Sequence, residues 1–314
     1  MSMIDAPIHE ALDAASRALL LGAGGGYDIL AGVPLLAALR SRGKQVHLGG
    51  VSFTSLAQLP GSRPEPGHAC LFAVHGGLAT ADAYCPEAWL ARWLRERRAD
   101  AEPVWGIAKT GVRPLRAALE HLVQRLGLDT IVLVDGGIDL ILRGDETSIG
   151  TPSEDLASLQ AVAGLSRVRK LAMCLGFGTE LREGIPHAQV LERIAELERV
   201  DGYLGAASLS RHSLAGRAYL EALAFVREGQ ADQRGSHIHR VVQAALEGGF
   251  GSIAPDVWVS PLASLCWFFE VEALAGSHLF ARHLEQTASI WEVTSIVRAF
   301  RKGLAVRERT AIPL

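Results

Sequence analysis

Asp135 and Asp139 bracket a Gly-Gly pair directly after the apolar run 130–134, and Asp145 and Glu146 follow one short apolar run later. Carboxylates gathered at one place repel each other unless a cation, a basic ligand or a shared proton compensates. The spacing therefore marks Asp135 and Asp139 as candidate catalytic groups. With Glu146 they form a candidate ligand set for Mg²⁺ or another divalent cation. Arg143 offers internal compensation within the same stretch. Turn chemistry is the plain alternative, because Asp favours turns and Ser153-x-Asp155 reads as a helix cap.

A second stretch, Gly22-Ala-Gly-Gly-Gly-Tyr-Asp28, joins an apolar run to the helical pattern 29–40. Backbone N–H groups crowd a ligand most easily where Cβ atoms are missing, and a helix N-terminus adds partial positive charge. Gly22, Gly24, Gly25 and Gly26 are thus expected to cradle a phosphate or carboxylate, unless they serve only a tight strand-to-helix turn. Asp28 is either a helix cap or an acceptor for a ligand hydroxyl or amine.

Other candidates stand where apolar runs end. His75 precedes Gly76-Gly77 and suits a general base, or a histidine hydrogen-bonded beneath a loop. Lys109 and Thr110 close another run, where an ammonium either balances a bound anion or is solvated. Glu180, after Gly176-Phe-Gly178, is expected to face the same crevice. His237 and His239 lie two residues apart on a helical pattern, which argues against a paired metal site.

Several chemistries are disfavoured. The glycine stretch matches only the first half of G-x-G-x-x-G, Tyr27 holds its last position, and the run 45–53 ends without an acid for a ribose hydroxyl. NAD(P) is therefore less favoured as a cofactor than a divalent cation. No G-K-[ST] ending, G-x-S-x-G elbow or H-E-x-x-H occurs. Cys70, Cys85, Cys174 and Cys266 stand far apart and read as reduced thiols in a cytoplasmic setting.

The elements that must position these residues follow from periodicity. Strand-like runs at 18–21, 45–53, 69–74, 103–108, 130–134 and 170–175 alternate with helical patterns at 33–40, 86–98, 113–126 and 186–199. This predicts an α/β fold with a doubly wound, mostly parallel sheet, whose ligand crevice lies beyond the carboxyl ends of its strands. Residues 1–200 are expected to form that ligand-binding core. Residues 201–314 read as a mainly helical region, a lid or dimer surface packed on it, with helices at 214–227, 237–246, 262–275 and 290–301.

The 314 residues are 49% hydrophobic and 21% charged with a net charge of −3. Scattered arginines give no case for nucleic acid, and no apolar run reaches a membrane-spanning length of about 20 residues. The N-terminus is acidic, with no basic start of a secretory signal. A homodimer is the general expectation for a chain of this kind.

Gly24-Gly-Gly-Tyr-Asp28 and the run from Val134-Asp-Gly-Gly-Ile-Asp139 to Arg143-Gly-Asp-Glu146 resemble the uncharacterised family called domain of unknown function 1152. The resemblance extends over most of the chain and is most specific in the second motif. It implies a Rossmann-like sheet and carries no activity. The residues themselves suggest an enzyme acting on a small polar anionic metabolite by group transfer or hydrolysis. A ligand-binding or assembly subunit without turnover and an atypical NAD(P)-dependent oxidoreductase are the alternatives.

Overall fold

The computed structural model describes residues 6–308 apart from 232, 234 and 256, so the N-terminal reading over 1–5 lies outside the described residues. Helix α1 (Pro7–Asp13) leads into β1 (Arg17–Gly22). Then come α2 (Asp28–Ala31), α3 (Val33–Arg40), β2 (Gln45–Ser52), β3 (Pro64–Glu65), β4 (His68–Val74), α4 (Pro86–Arg98) and β5 (Val104–Ala108). The middle of the chain forms α5 (Val112–Leu126), β6 (Thr130–Asp135), α6 (Pro152–Ala163), β7 (Arg169–Leu175) and α7 (His187–Glu198). Last are β8 (Tyr203–Ser208), α8 (Leu214–Gly229), α9 (His237–Leu246), β9 (Gly251–Ala254), β10 (Val257–Val259), β11 (Leu265–Glu270), α10 (Val271–Ser277) and α11 (Ile290–Gly303).

Nine strands form one sheet in the order β3-β4-β5-β2-β1-β6-β7-β11-β8. The central five, β5-β2-β1-β6-β7, are all parallel. Strands in such a sheet are covered on both faces and read as continuous apolar runs. Alternation along them divides the core in two. Leu19, Leu21, Ile131 and Leu133 face Leu119 of α5 and Leu159 of α6. Leu20, Val132, Val134 and Met173 face Leu36 of α3, Trp93 of α4 and Tyr219 of α8. This is the doubly wound α/β architecture that the periodicity predicts. After β5 the chain returns to β6 on the other side of β1, so β1 and β6 flank the switch point where such folds bind ligands.

The expected helix at 262–275 is instead strand β11 followed by the shorter α10. Leu265-Cys-Trp-Phe-Phe-Glu270 lies antiparallel between β7 and β8. Short apolar runs covered on both faces resemble buried helices in periodicity, and here the aromatic content decides for a strand. Strand β8 likewise arises inside the stretch expected to be mainly helical, while the helices at 214–227, 237–246 and 290–301 appear as α8, α9 and α11. The single helix expected over 29–40 is broken at Gly32 into the one-turn α2 and α3.

Candidate functional site

Strand β1 delivers the chain into the glycine loop, and the first residue of α2 is Asp28. Gly22 does not line the loop's cavity. It lets α2 fold back over the strand end, since a Cβ there would sit 2.8 Å from the Ile29 amide nitrogen. Gly25 has φ of 97°, and its missing Cβ would strike the Phe53 ring at 2.6 Å. The Gly24 N–H donates to the Asp28 carboxylate at 2.7 Å, and backbone N–H groups of Gly25 and Gly136 also point at that carboxylate. The anion cradled by the loop is thus one of the chain's own side chains. With α2 a single turn long, little helix dipole is added.

Strand β6 ends at Asp135, whose carboxylate accepts from the Leu140 N–H at 3.3 Å and from the Cys174 thiol. Asp139 accepts from the Thr151 N–H at 3.1 Å and is hydrogen-bonded to Glu180. Glu180 accepts from the Ile138 N–H at 2.7 Å and lies over Gly137, where a Cβ would come within 2.9 Å of it. The first turn of α6 supplies Asp155, only 3% exposed, whose Oδ1 is buried without a hydrogen-bond partner among the described residues. One oxygen from each of Asp28, Asp135 and Asp155 lies within 4.8 Å of the others, so these three are the residues placed to hold a metal.

Around these groups opens a cleft of about 530 Å³, lined also by Phe53, Tyr84, Glu183 and the start of α9 at His237 and Ile238. Among the described residues lining it, six are Asp or Glu and none is Lys or Arg. Burial, and then the charge of Asp139, pushes the Asp28 carboxyl up to about 7 against its backbone donors. Burial raises Asp139 to about 6 despite the Thr151 N–H and Glu180. Asp135, Asp155 and Glu180 are pushed well above the carboxylate range, first by burial and then by neighbouring carboxylates. Such a cluster must share protons at neutral pH or take up a positive charge.

Beneath the loop, His239 is fully buried and burial lowers it to about 4, leaving it neutral. A carbonyl can only accept, so the Nε2–H donates to the Tyr27 carbonyl at 2.9 Å and Nδ1 accepts from the Tyr219 hydroxyl at 2.6 Å. His237 instead faces the cleft with Nε2 3.4 Å from Glu183. The two histidines occupy different environments, as their spacing implies.

Of the residues singled out in the sequence, Gly24, Gly25, Gly26, Asp28, Asp135, Asp139 and Glu180 meet in the cleft. Others do not. Strand β4 runs antiparallel to β5, with Val74 paired to Val104 at the start of β5, so the exposed His75 emerges at the opposite edge of the sheet. Lys109 lies behind the cleft wall, its ammonium 3.8 Å from the Phe53 ring centre and 2.8 Å from Glu154. The Thr110 hydroxyl donates to the Ala288 carbonyl. Glu146 is buried elsewhere, accepting from the Arg143 and Gly144 N–H groups at 2.8 Å and pairing with Arg307 at 3.3 Å. Its carboxylate is thereby fully engaged and does not reach the Asp135 cluster.

Asp155 is the cleft residue that cap chemistry concealed. Its side chain forms no cap on α6 and turns toward Asp28 and Asp135 instead. The signal in the sequence was its position in the first turn of the helix that follows the Asp135–Asp139 turn, which places it at the same strand-end edge.

No described helix is long and apolar enough to cross a membrane. Comparison with curated proteins found no match. Residues 19–302 match the model of a family described as a protein of unknown function (DUF1152), and the chain belongs to that family.

Proposed function

We propose that this protein is an enzyme that carries out group transfer or hydrolysis on a small polar metabolite bound in the acidic cleft. The observation that carries this reading is the pair of neighbouring carboxyls, Asp139 and the buried Glu180, at the cleft wall. Neighbouring carboxyls withdrawn from solvent do not both ionise readily, and Asp139 at about 6 is placed to give or take a proton near neutral pH. Asp145 and Glu146 are neutralised by arginine, whereas the hydrogen-bond donors to these two among the described residues are backbone N–H groups. The cleft volume of about 530 Å³ suits a metabolite of sugar or nucleotide size. Because the loop N–H groups already serve Asp28, an anionic group on that metabolite is met by a positive charge bound with it. Four free cysteines, three of them buried, support a cytoplasmic setting.

The test is a thermal-shift panel of phosphosugars, nucleotides, amino acids and carboxylates, each with divalent cations, followed by product analysis for every stabilising compound. A ligand at a hundred times its Kd stabilises the fold by about 2.7 kcal/mol. A stabilising compound is expected to be converted by the native protein, and Asp139→Asn is expected to bind it with kcat lowered about 100-fold or more. A compound that binds tightly and is recovered unchanged after prolonged incubation overturns the enzyme reading in favour of a ligand-binding protein. Conversion at an undiminished rate by Asp139→Asn removes the proposed acid–base role.

A further inference from the structure

We infer that Asp28, Asp135 and Asp155 hold one hard divalent cation of the Mg²⁺, Mn²⁺ or Ca²⁺ class, deepening the proposed function by supplying the positive charge that it requires. Three features of the floor of the cleft lead there. The first is distance: one oxygen from each side chain lies within 4.8 Å of the other two. Oxygens on opposite sides of one cation stand about 4.2 Å apart around Mg²⁺ and about 4.6–5.2 Å apart around Ca²⁺. Three oxygens all within 4.8 Å of one another are thus near enough to share one cation of this class after small side-chain adjustments.

The second feature is the Oδ1 of Asp155, a buried oxygen with no hydrogen-bond donor among the described residues, on a side chain only 3% exposed. Removing an acceptor from water without a partner is unfavourable, and more so for a charged one. A cation satisfies it. The third is Gly24. A Cβ at this position would lie 2.6 Å from the Asp155 Oδ1 and 2.7 Å from an Asp28 oxygen. Only a residue without a Cβ lets these two carboxylates press so closely on the loop backbone and converge on one point. Asp135 is also only 3% exposed, so two of the three ligands are withdrawn from bulk solvent. All three come from separate elements meeting at the switch point, which leaves the outer positions of the ion open toward the cleft for water or a substrate oxygen.

The experiment begins with protein freed of metal by chelator and returned to chelator-free buffer. Mn²⁺ binding is followed by the loss of the free-ion paramagnetic resonance signal, with Mg²⁺ and Ca²⁺ as competitors. One Mn²⁺ per chain is expected, displaced by excess Mg²⁺ or Ca²⁺. Asp155→Asn keeps the shape and removes a charge. It is expected to weaken Mn²⁺ binding by at least about 100-fold, since removal of mere outer partners already weakens metal sites about 10–100-fold. In the absence of metal the same variant is expected to melt no lower than the native protein, because it relieves crowding among like charges. A carboxylate with a purely structural role would give the opposite shift. Gly24→Ala, whose added methyl would push on the Asp28 and Asp155 oxygens without touching a ligand's charge, is expected to weaken binding as well.

Absence of bound Mn²⁺, or Mn²⁺ binding by Asp155→Asn equal to that of the native protein, overturns the inference. So does stabilisation by small ammonium compounds without any metal binding, which would assign the three carboxylates to a cationic substrate group. The two readings fail separately. Turnover by a protein that binds no Mn²⁺ removes the metal site and leaves the enzyme, whereas Mn²⁺ binding without conversion of any stabilising compound leaves the metal site and removes the enzyme.

Discussion

Asp135 and Asp139 at one end of a twelve-residue stretch, and Asp145 and Glu146 at the other, carry the same functional group into opposite surroundings. The first two enter a cleft in which no Lys or Arg is found among the described lining residues. The second two are held by guanidinium groups. Arg143 bonds Asp145 at 2.6 Å, and Arg307 bonds Asp145 at 3.0 Å and Glu146 at 3.3 Å, which straps the chain beyond α11 onto this turn. Glu146 also receives two backbone N–H groups. The difference is whether the described residues supply a carboxylate's counter-charge, as they do for Asp145 and Glu146, or do not, as for Asp135 and Asp139.

The largest effect that can break this comparison belongs to the satisfied region. Glu146→Ala leaves Arg307 one partner short and strands the N–H groups of Arg143 and Gly144. Loss of one member of a buried, hydrogen-bonded ion pair destabilises by about 3–5 kcal/mol. Urea unfolding should show a loss near the lower value, because Arg307 keeps Asp145 and Glu192 as partners. Ligand and metal binding in the cleft should remain native at 25 °C. A weakened cleft would mean that the two regions form one site after all.

The pH dependence of stability sharpens the contrast because the two regions contribute with opposite sign. Asp139 is raised from 3.8 to about 6, mainly by burial. The native state therefore binds more protons than the unfolded chain in that interval. Its contribution is fully present below the unfolded value and is lost as pH rises through about 6. Burial alone would raise Asp145 too, but the Arg143 and Arg307 guanidinium groups hold it below its ordinary value. Glu285 falls to about 2 through its hydrogen bond with Arg116. Their contributions are present above the unfolded carboxylate values and are lost as pH falls toward the folded ones. In metal-free buffer, stability should fall as pH rises from 4 to 6 and should also fall below pH 4. A tenfold difference in proton affinity between the folded and unfolded chain corresponds to about 1.4 kcal/mol, so Asp139 alone is expected to contribute about 2–3 kcal/mol to the upper limb, beside the other raised carboxyls of the cleft. Denaturant titrations across this range should show that limb shallower in Asp139→Asn, and a limb that stays unchanged contradicts the assignment.

The sequence displayed one half of this contrast and hid the other. The apolar run before Asp135 and the glycines before Asp28 are local signals, and both lead to the switch point between β1 and β6. Which way Glu146 turns depends on Arg307, about 160 residues away, a pairing that no local pattern encodes. His75 shows a different limit. An apolar run does not state its direction, and reversal of β4 carried this histidine to the far edge of the sheet. Asp155 shows a third, since capping and ligation ask for the same residue at the same place in a helix. For β11, the periodicity of a strand covered on both faces was indistinguishable from that of a buried helix, although Trp267, Phe268 and Phe269 pointed to the strand.

The smallest expected effect lies beneath the glycine loop and asks whether the acidic region also depends on neutral polar support. Tyr219 is completely buried, and its hydroxyl fixes the tautomer of His239 that donates to the Tyr27 carbonyl. Tyr219→Phe removes only the hydroxyl and leaves Nδ1 of His239 as a buried acceptor without a donor. A loss of about 1–2 kcal/mol is expected from that unsatisfied nitrogen. The consequence for the loop is more telling. If the imidazole sets the loop, metal affinity should fall a few-fold in Tyr219→Phe although no ligand has been touched, and amide exchange at Gly24 to Asp28 should quicken. Equal loss of stability with native metal affinity and native exchange would make His239 a core residue and nothing more. The Asp28 carboxylate would then be oriented by its backbone donors alone.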